Sequence, residues 1–212
     1  MPKKAEWFPC MVDVLPEMVN EDFAIKHFEI NKAASQASAL RARLNGRRWY
    51  EYVAPGKYVR LTSPRGIEMT DATMERISCS ECVRNARGSV LLGGLGLGML
   101  LCGLMRKRGV STIIVVEKSP EIIAMVEPHL RAYFDKVKWK STVEKVNTVL
   151  GDATNPASFL NGRLKFDTIY MDIWSNICKD NLPEMRKLKQ KYMKYRKSTG
   201  WFGCWSEDLA KL

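Results

Sequence analysis

The stretch Val90-Leu-Leu-Gly-Gly-Leu-Gly-Leu-Gly-Met-Leu-Leu101 sets four glycines inside an otherwise apolar run. Ser89 to Leu92 reads as a short buried strand and Met99 to Arg108 as a helix, so the glycines form the turn between them. A glycine-rich turn after a first strand brings a ligand close to main-chain atoms. Spacing narrows the ligand. The dinucleotide fingerprint is G-x-G-x-x-G, and here Gly94-x-Gly96-x-Gly98 places Met99 where the third glycine would stand, which argues against NAD. A phosphate cradle needs Gly-Lys-Ser/Thr, whereas this loop closes as Gly98-Met99-Leu100. The apolar run is also shorter than the roughly 20 residues of a membrane-spanning helix.

Downstream of the turn, strands and helices alternate. Thr112 to Val116 reads as a buried strand, Pro120 to Phe134 as a helix with proline in its first turn, and Val146–Leu150, Asp167–Met171 and Trp201–Trp205 as further strands. Such alternation predicts a parallel sheet covered by helices, with ligands at the carboxyl ends of its strands. Three carboxylates fall at such ends. Glu117 closes the second strand, where it can accept from both hydroxyls of a ribose. Asp152 follows the third, where it can meet an exocyclic adenine amine, and Asp172 closes the fourth beside the glycine loop. A sugar, an adenine and no phosphate-binding charge describe an adenosine that carries something other than phosphate.

Val90-Leu-Leu-Gly-Gly-Leu-Gly-Leu-Gly98, Val115-Val-Glu-Lys-Ser-Pro120, Gly151-Asp-Ala153 and Tyr170-Met-Asp172 resemble the motifs of class I S-adenosylmethionine-dependent methyltransferases. Within that superfamily the chain looks most like the spermidine synthase-like branch, whose small phage-type members are similar through Asp172-Ile-Trp-Ser-Asn-Ile-Cys-Lys-Asp-Asn-Leu-Pro-Glu184. The resemblance implies a doubly wound, mostly parallel, Rossmann-like α/β sheet of order 3-2-1-4-5. It also implies Gly94, Gly96 and Gly98 around the methionine part of the cofactor, Glu117 on the ribose, and Asp152 with Ala153 at the adenine. Leu92 stands where most of these methyltransferases carry an acidic residue, a departure shared with the spermidine synthase-like branch.

Two transfers start from such a sulfonium. Aminopropyl transfer from decarboxylated S-adenosylmethionine uses the carboxylate after strand four as base, a place held by Asp172. The family continues as Asp-x-x-Asp-Pro, and here Asp172-Ile-Trp-Ser175 lacks the second carboxylate. A net charge of +11 also disfavours a polycationic substrate. Methyl transfer with S-adenosylmethionine is therefore the leading expectation, with Asp172 as both the catalytic candidate and a further cofactor-binding candidate, and Trp174 as a platform for a planar acceptor. A non-catalytic adenosyl-binding protein is the third reading. The acceptor itself is not legible: neither Asn/Asp-Pro-Pro-Tyr/Phe nor a strand-end Pro-Cys is present.

Residues 1–88 read as a separate N-terminal part and 89–212 as the cofactor-binding domain. Glu21 to Leu44 is expected to be helical. Trp49–Val53, Tyr58–Thr62 and Ile67–Met69 are expected to form a small meander, and a helix capped by Thr70 or Asp71 to run to Ala86. With the fifth strand expected at Trp201–Trp205, a sixth and seventh strand are not expected. Acceptor recognition would then fall to the N-terminal part, to the basic helix expected over 182–197 or to a second copy in a homo-oligomer. That helix has Leu182, Met185, Leu188 and Tyr192 on one stripe and carries Lys179, Arg186, Lys187, Lys189, Lys191, Lys194, Arg196 and Lys197 around it, a candidate surface for nucleic acid or another anionic acceptor. Six scattered cysteines and no signal-like leader suggest a reducing, cytoplasmic setting without membrane contact. Cys79-Ser-Glu-Cys82 is a lone pair with only two histidines in the chain, and reads as core packing rather than a metal site.

Overall fold

The computed structural model describes residues 7–44, 52–137 and 145–211. Its first sheet comprises β1 (Met18–Val19), β2 (Ala24–Ile30), β3 (Gly56–Ser63) and β4 (Gly66–Thr70), all antiparallel and in sequential order, with helix α1 (Lys32–Leu44) between β2 and β3. The helix expected from Glu21 is thus split. Residues 24–30 carry Ile25, Phe28 and Ile30, which suit a pleated surface, and they pair with β3 from Ala24↔Thr62 to Ile30↔Gly56. The Asn31 side chain then accepts from the Ala34 N–H at 2.8 Å and starts the helix. Of the strand expected at Trp49–Val53, residues 49–51 lie outside the described residues. Tyr52 and Val53 are not in a strand, and Val53 N–H donates to Ser38 Oγ on α1 at 3.0 Å.

Helix α2 (Thr73–Asn85) begins later than expected, with Ala72 at its N-cap and no side-chain cap. Asp71 is used otherwise. Fully buried, it accepts from Val59 N–H on β3 (2.6 Å) and Met11 N–H (3.3 Å), and pairs with Arg76 Nη2 (2.8 Å). One carboxylate therefore ties the N-terminal segment, the first sheet and α2 together.

The second sheet contains β5 (Gly88–Gly93), β6 (Val110–Glu117), β7 (Val146–Leu150), β8 (Phe166–Met171) and β9 (Arg196–Cys204), parallel throughout, in the order β7-β6-β5-β8-β9. Counted from β5, that is 3-2-1-4-5, the Rossmann-like α/β arrangement. Helices α3 (Met99–Met105), α4 (Pro120–Lys136), α5 (Leu182–Tyr192) and α6 (Glu207–Ala210) complete the described α-helices, beside four short 3-10 turns. Alternation along β5 sends Val90 and Leu92 into a cluster with Leu97, Met99, Val126 and the N-terminal Met11, Leu15 and Ile25. Leu91 joins Ile169, Met171, Met185, Leu188 and Tyr192 on the other face. Each such side chain contributes about 1.5–3 kcal/mol by leaving water. Cys79 and Cys82, both on α2, belong to the first cluster as expected of packing thiols.

Two boundaries move. α3 stops at Met105, short of Arg108, and the helix expected over 182–197 ends at Tyr192. After a short 3-10 turn the chain enters β9 at Arg196, which faces Phe166 on β8; strand pairing overrides the helical pattern there. No helix among the described residues is long and apolar enough to cross a membrane.

Candidate functional site

The carboxyl ends of the parallel strands form a row. Backbone ladders continue one residue past the strands: Gly94 N–H donates to Val116 O (2.8 Å), Asp172 N–H to Gly93 O (2.8 Å) and Trp205 N–H to Met171 O (2.8 Å). Glu117, Gly94, Asp172 and Trp205 thereby stand side by side across β6, β5, β8 and β9, facing a cavity of about 310 Å3. Asp152, Ala153, Gly96 and Trp174 line it too, together with Glu75 from α2 and Met69 from β4.

Gly94 has φ of +92°, and a Cβ there would collide with the carbonyl oxygen of Asp172. The bare position lets the loop after β5 press against the chain leaving β8. Gly96 serves a different neighbour: a Cβ would lie 2.6 Å from Met69 Sδ, so the loop seats on the first sheet. Gly98 caps α3 and packs against Leu130 of α4, and it does not line the cavity.

Glu117 is 9% exposed, and each of its oxygens is held by the backbone: Oε2 accepts from Leu95 N–H (2.8 Å) and Oε1 from Ser119 N–H (3.0 Å). Each keeps lone-pair capacity toward the cavity. Asp152 is exposed at the rim. The backbone N–H of Thr154 (2.7 Å) is the main cause that lowers its pKa, helped by the Thr154 hydroxyl (2.8 Å) and by Lys118 and Lys191. Ala153 is buried beside them, and its carbonyl accepts from Tyr192 OH at 2.7 Å. The Trp174 indole N–H donates to Glu184 Oε2 at 2.7 Å, which holds the ring at the cavity wall.

Asp172 reaches the cavity but is densely surrounded, and burial pushes its carboxyl up to about 7. Its side chain meets the Cys79 thiol at 4.0 Å. Beside it stands Glu75, 8% exposed, raised to about 8 by burial first and by the charge of Asp172 second. The indole of Trp205 faces this carboxyl and partly offsets the rise, yet its N–H donates to Ser78 Oγ at 2.9 Å. Neither Glu75 nor Trp205 stands in a sequence motif. A signal for the first exists: Glu75, Cys79, Cys82 and Val83 recur at i, i+4, i+7 and i+8 on the buried face of α2.

The Glu75 environment makes stability depend on pH. A carboxyl whose folded pKa lies above its unfolded value binds its proton more tightly when folded. Its contribution is fully present below 4.5 and is lost as pH rises through about 8. Melting temperature is therefore expected to fall between these limits, with Asp172 adding to the slope. Glu75→Gln is expected to flatten the profile and to stabilise the protein at the alkaline end by about 1–2 kcal/mol, a discounted share of the ~1.4 kcal/mol per pKa unit. Parallel thermal melts of the two proteins across this range check it, and superimposable profiles would show that Glu75 is solvated.

Along the basic segment, several charges are spent within the chain. Lys191 Nζ donates to Thr154 O (2.7 Å), Arg196 to Gly200 O (3.0 Å), Lys197 pairs with Asp167 (2.7 Å) and Lys194 lies over the Tyr195 ring. Arg186, Lys187 and Lys189 are exposed on α5.

No protein-family model and no curated protein sequence matches the chain. Solved structures do. Fibrillarin from Aeropyrum pernix, in complex with natively bound S-adenosyl-L-methionine, is similar over 56% of this chain and 44% of its own, at 15% identity and a TM-score of 0.39. An S-adenosylmethionine-dependent methyltransferase from Clostridium acetobutylicum is similar over 57% and 44%, at 21% identity and a TM-score of 0.38. A methyltransferase from Podospora anserina, bound to SAH, is similar over 84% and 63%, at 18% identity and a TM-score of 0.42. The chain thus spans less than two thirds of the length of each. The Rossmann-like class rests on the strand order itself.

Proposed function

We propose that the chain binds S-adenosylmethionine in this cavity and transfers its methyl group to an acceptor. The observation that carries the reading is the convergence of the glycine loop, Glu117, Asp152 and Asp172, which are far apart in sequence, on one cavity at the strand ends. Its volume of about 310 Å3 falls in the range of roughly 300–1,000 Å3 common for small-molecule sites. Glu117, fixed by two backbone donors, would accept from the ribose hydroxyls. Asp152 and Ala153 would meet the adenine, and the backbone at Gly94 and Gly96 the methionine part. The bound cofactor supplies an electrophilic methyl carbon on a positively charged sulfur. The protein's task is then to align an acceptor in line with it and to manage the acceptor's proton.

Calorimetric titration with S-adenosylmethionine, S-adenosylhomocysteine, decarboxylated S-adenosylmethionine and NAD tests this. The first two are expected to bind best. Glu117→Gln is expected to weaken them by roughly tenfold or more, since about 1.4 kcal/mol per lost charge-assisted hydrogen bond is a factor of ten. Asp152→Ala, at the exposed rim, is expected to have a smaller effect, and unchanged affinity would remove its adenine contact. Preference for the decarboxylated form would move the reading to aminopropyl transfer, and binding of NAD alone would end it.

The exposed face of α5 supports a separate proposal of weak nucleic-acid contact. If Arg186, Lys187 and Lys189, all exposed on α5, are the residues that contact phosphate, the slope of log affinity against log salt should be about −3. Gel retardation over a salt series reads it, and no retardation at the lowest salt removes nucleic acid from the partners.

A further inference from the structure

The cavity has two halves because the sheet does. Glu117 and Asp152 follow β6 and β7 on one side of the glycine loop, while Asp172 and Trp205 follow β8 and β9 on the other. Neighbouring strands lie about 4.8 Å apart, so β6 and β8, on either side of β5, are separated by about 10 Å. A nucleoside held by Glu117 and Asp152 leaves the β8–β9 half free. There Glu75, from α2, lines the cavity along with Asp172, Trp174 and Trp205.

We propose that Glu75 and Asp172, flanked by Trp174 and Trp205, form the acceptor subsite, and that its acceptor is a small organic amine. This rests on the methyl-transfer reading above. Glu75 is more than nine-tenths buried and lines the cavity, and its facing indole N–H is engaged by Ser78. For Asp172, burial is the one cause that shifts the carboxyl, with no offsetting cation. No cation shifts either carboxyl, so an anionic acceptor finds no counter-charge there, whereas an ammonium would favour the ionised form that burial opposes. A hydroxyl acceptor needs one base and would leave the second carboxyl without a role. A primary ammonium carries three N–H donors and one positive charge, which the pair can share, and indole faces add cation–π attraction.

The step balances. The ammonium gives one N–H proton to an ionised carboxyl of the pair, which frees the nitrogen lone pair. That lone pair forms the new N–C bond to the methyl carbon as the C–S bond breaks and leaves its electrons on sulfur. The sulfonium becomes a thioether, the acceptor a methylated ammonium, and the carboxyl a neutral acid.

The test has two readouts on the purified protein. S-adenosylhomocysteine binding is measured first, by calorimetry, for the protein and for Glu75→Gln. The S-adenosylhomocysteine-loaded protein is then titrated with butylamine and benzylamine, and with 1-butanol and benzyl alcohol as uncharged counterparts. Saturable binding of an amine, at least tenfold tighter than its alcohol, is expected. In Glu75→Gln that preference is expected to be lost while S-adenosylhomocysteine affinity stays within about twofold. Tritium transfer from methyl-labelled S-adenosylmethionine to the bound amine should fall with it. Equal binding of amines and alcohols, or none, overturns the subsite while leaving the cofactor reading intact. Equal weakening of S-adenosylhomocysteine and amine assigns the pair to the cofactor's own ammonium and also overturns it. Failure of S-adenosylhomocysteine to bind overturns both.

Discussion

Gly94→Ala is expected to destabilise the protein by about 3 kcal/mol or more and to abolish nucleoside binding. Two costs add. A φ of +92° is strained for any residue with a Cβ, at about 1–3 kcal/mol. The new methyl would also meet the carbonyl oxygen of Asp172, a backbone atom that cannot swing aside as a side-chain tip can. Relief requires parting the loop after β5 from the chain after β8, which opens the row that joins Glu117 to Asp172. Urea unfolding and an S-adenosylhomocysteine titration read the two effects together. Gly109→Ala is the control: no atom lies within 4 Å of the added carbon, so a change within about 0.5 kcal/mol is expected. Matching midpoints for the two variants would show that the loop is looser than its contacts imply.

Asp71→Ala is expected to cost about 3–5 kcal/mol, the range for removing one partner of a buried ion pair. The carboxylate is fully buried and serves three donors, Val59 N–H, Met11 N–H and Arg76. Its loss leaves the guanidinium of Arg76 near the carbonyls of Phe8 and Pro9 with its charge uncompensated. Because Asp71 sits just ahead of α2, the same change frees the helix that carries Glu75 into the cavity. Unfolding midpoints and amine binding should therefore fall together. Asp71→Asn keeps one acceptor and should lose less. If Asp71→Ala unfolded at the midpoint of the parent protein, the clamp would be redundant.

Much of the second sheet was legible because its signals are local. Thr112–Val116 and Asp167–Met171 are stretches of strand length rich in β-branched, aromatic and apolar residues, and Pro120 marks a helix start whatever surrounds it. The first sheet was harder. Residues 24–30 have no strong period of their own and become a strand because β3 lies beside them; in the second sheet Arg196 likewise enters β9 because β8 lies beside it. Asp71 has the residue type of a helix cap, and only the arrival of Met11 and Val59 redirects it to a clamp.

For the site, sequence by itself determined the glycine spacing that excludes a phosphate cradle and the carboxylates that close the second, third and fourth strands of the parallel sheet. These follow from where a strand stops, which is a property of the chain. Tertiary structure decided what the glycines are for. Gly94 yields to the backbone of Asp172, Gly96 to Met69 and Gly98 to Leu130, three neighbours from three distant segments. It also decided that Glu75 is a cavity residue. A helix face becomes buried or exposed only when something packs on it, and the closeness of two carboxyls from α2 and the end of β8 is written in neither segment alone.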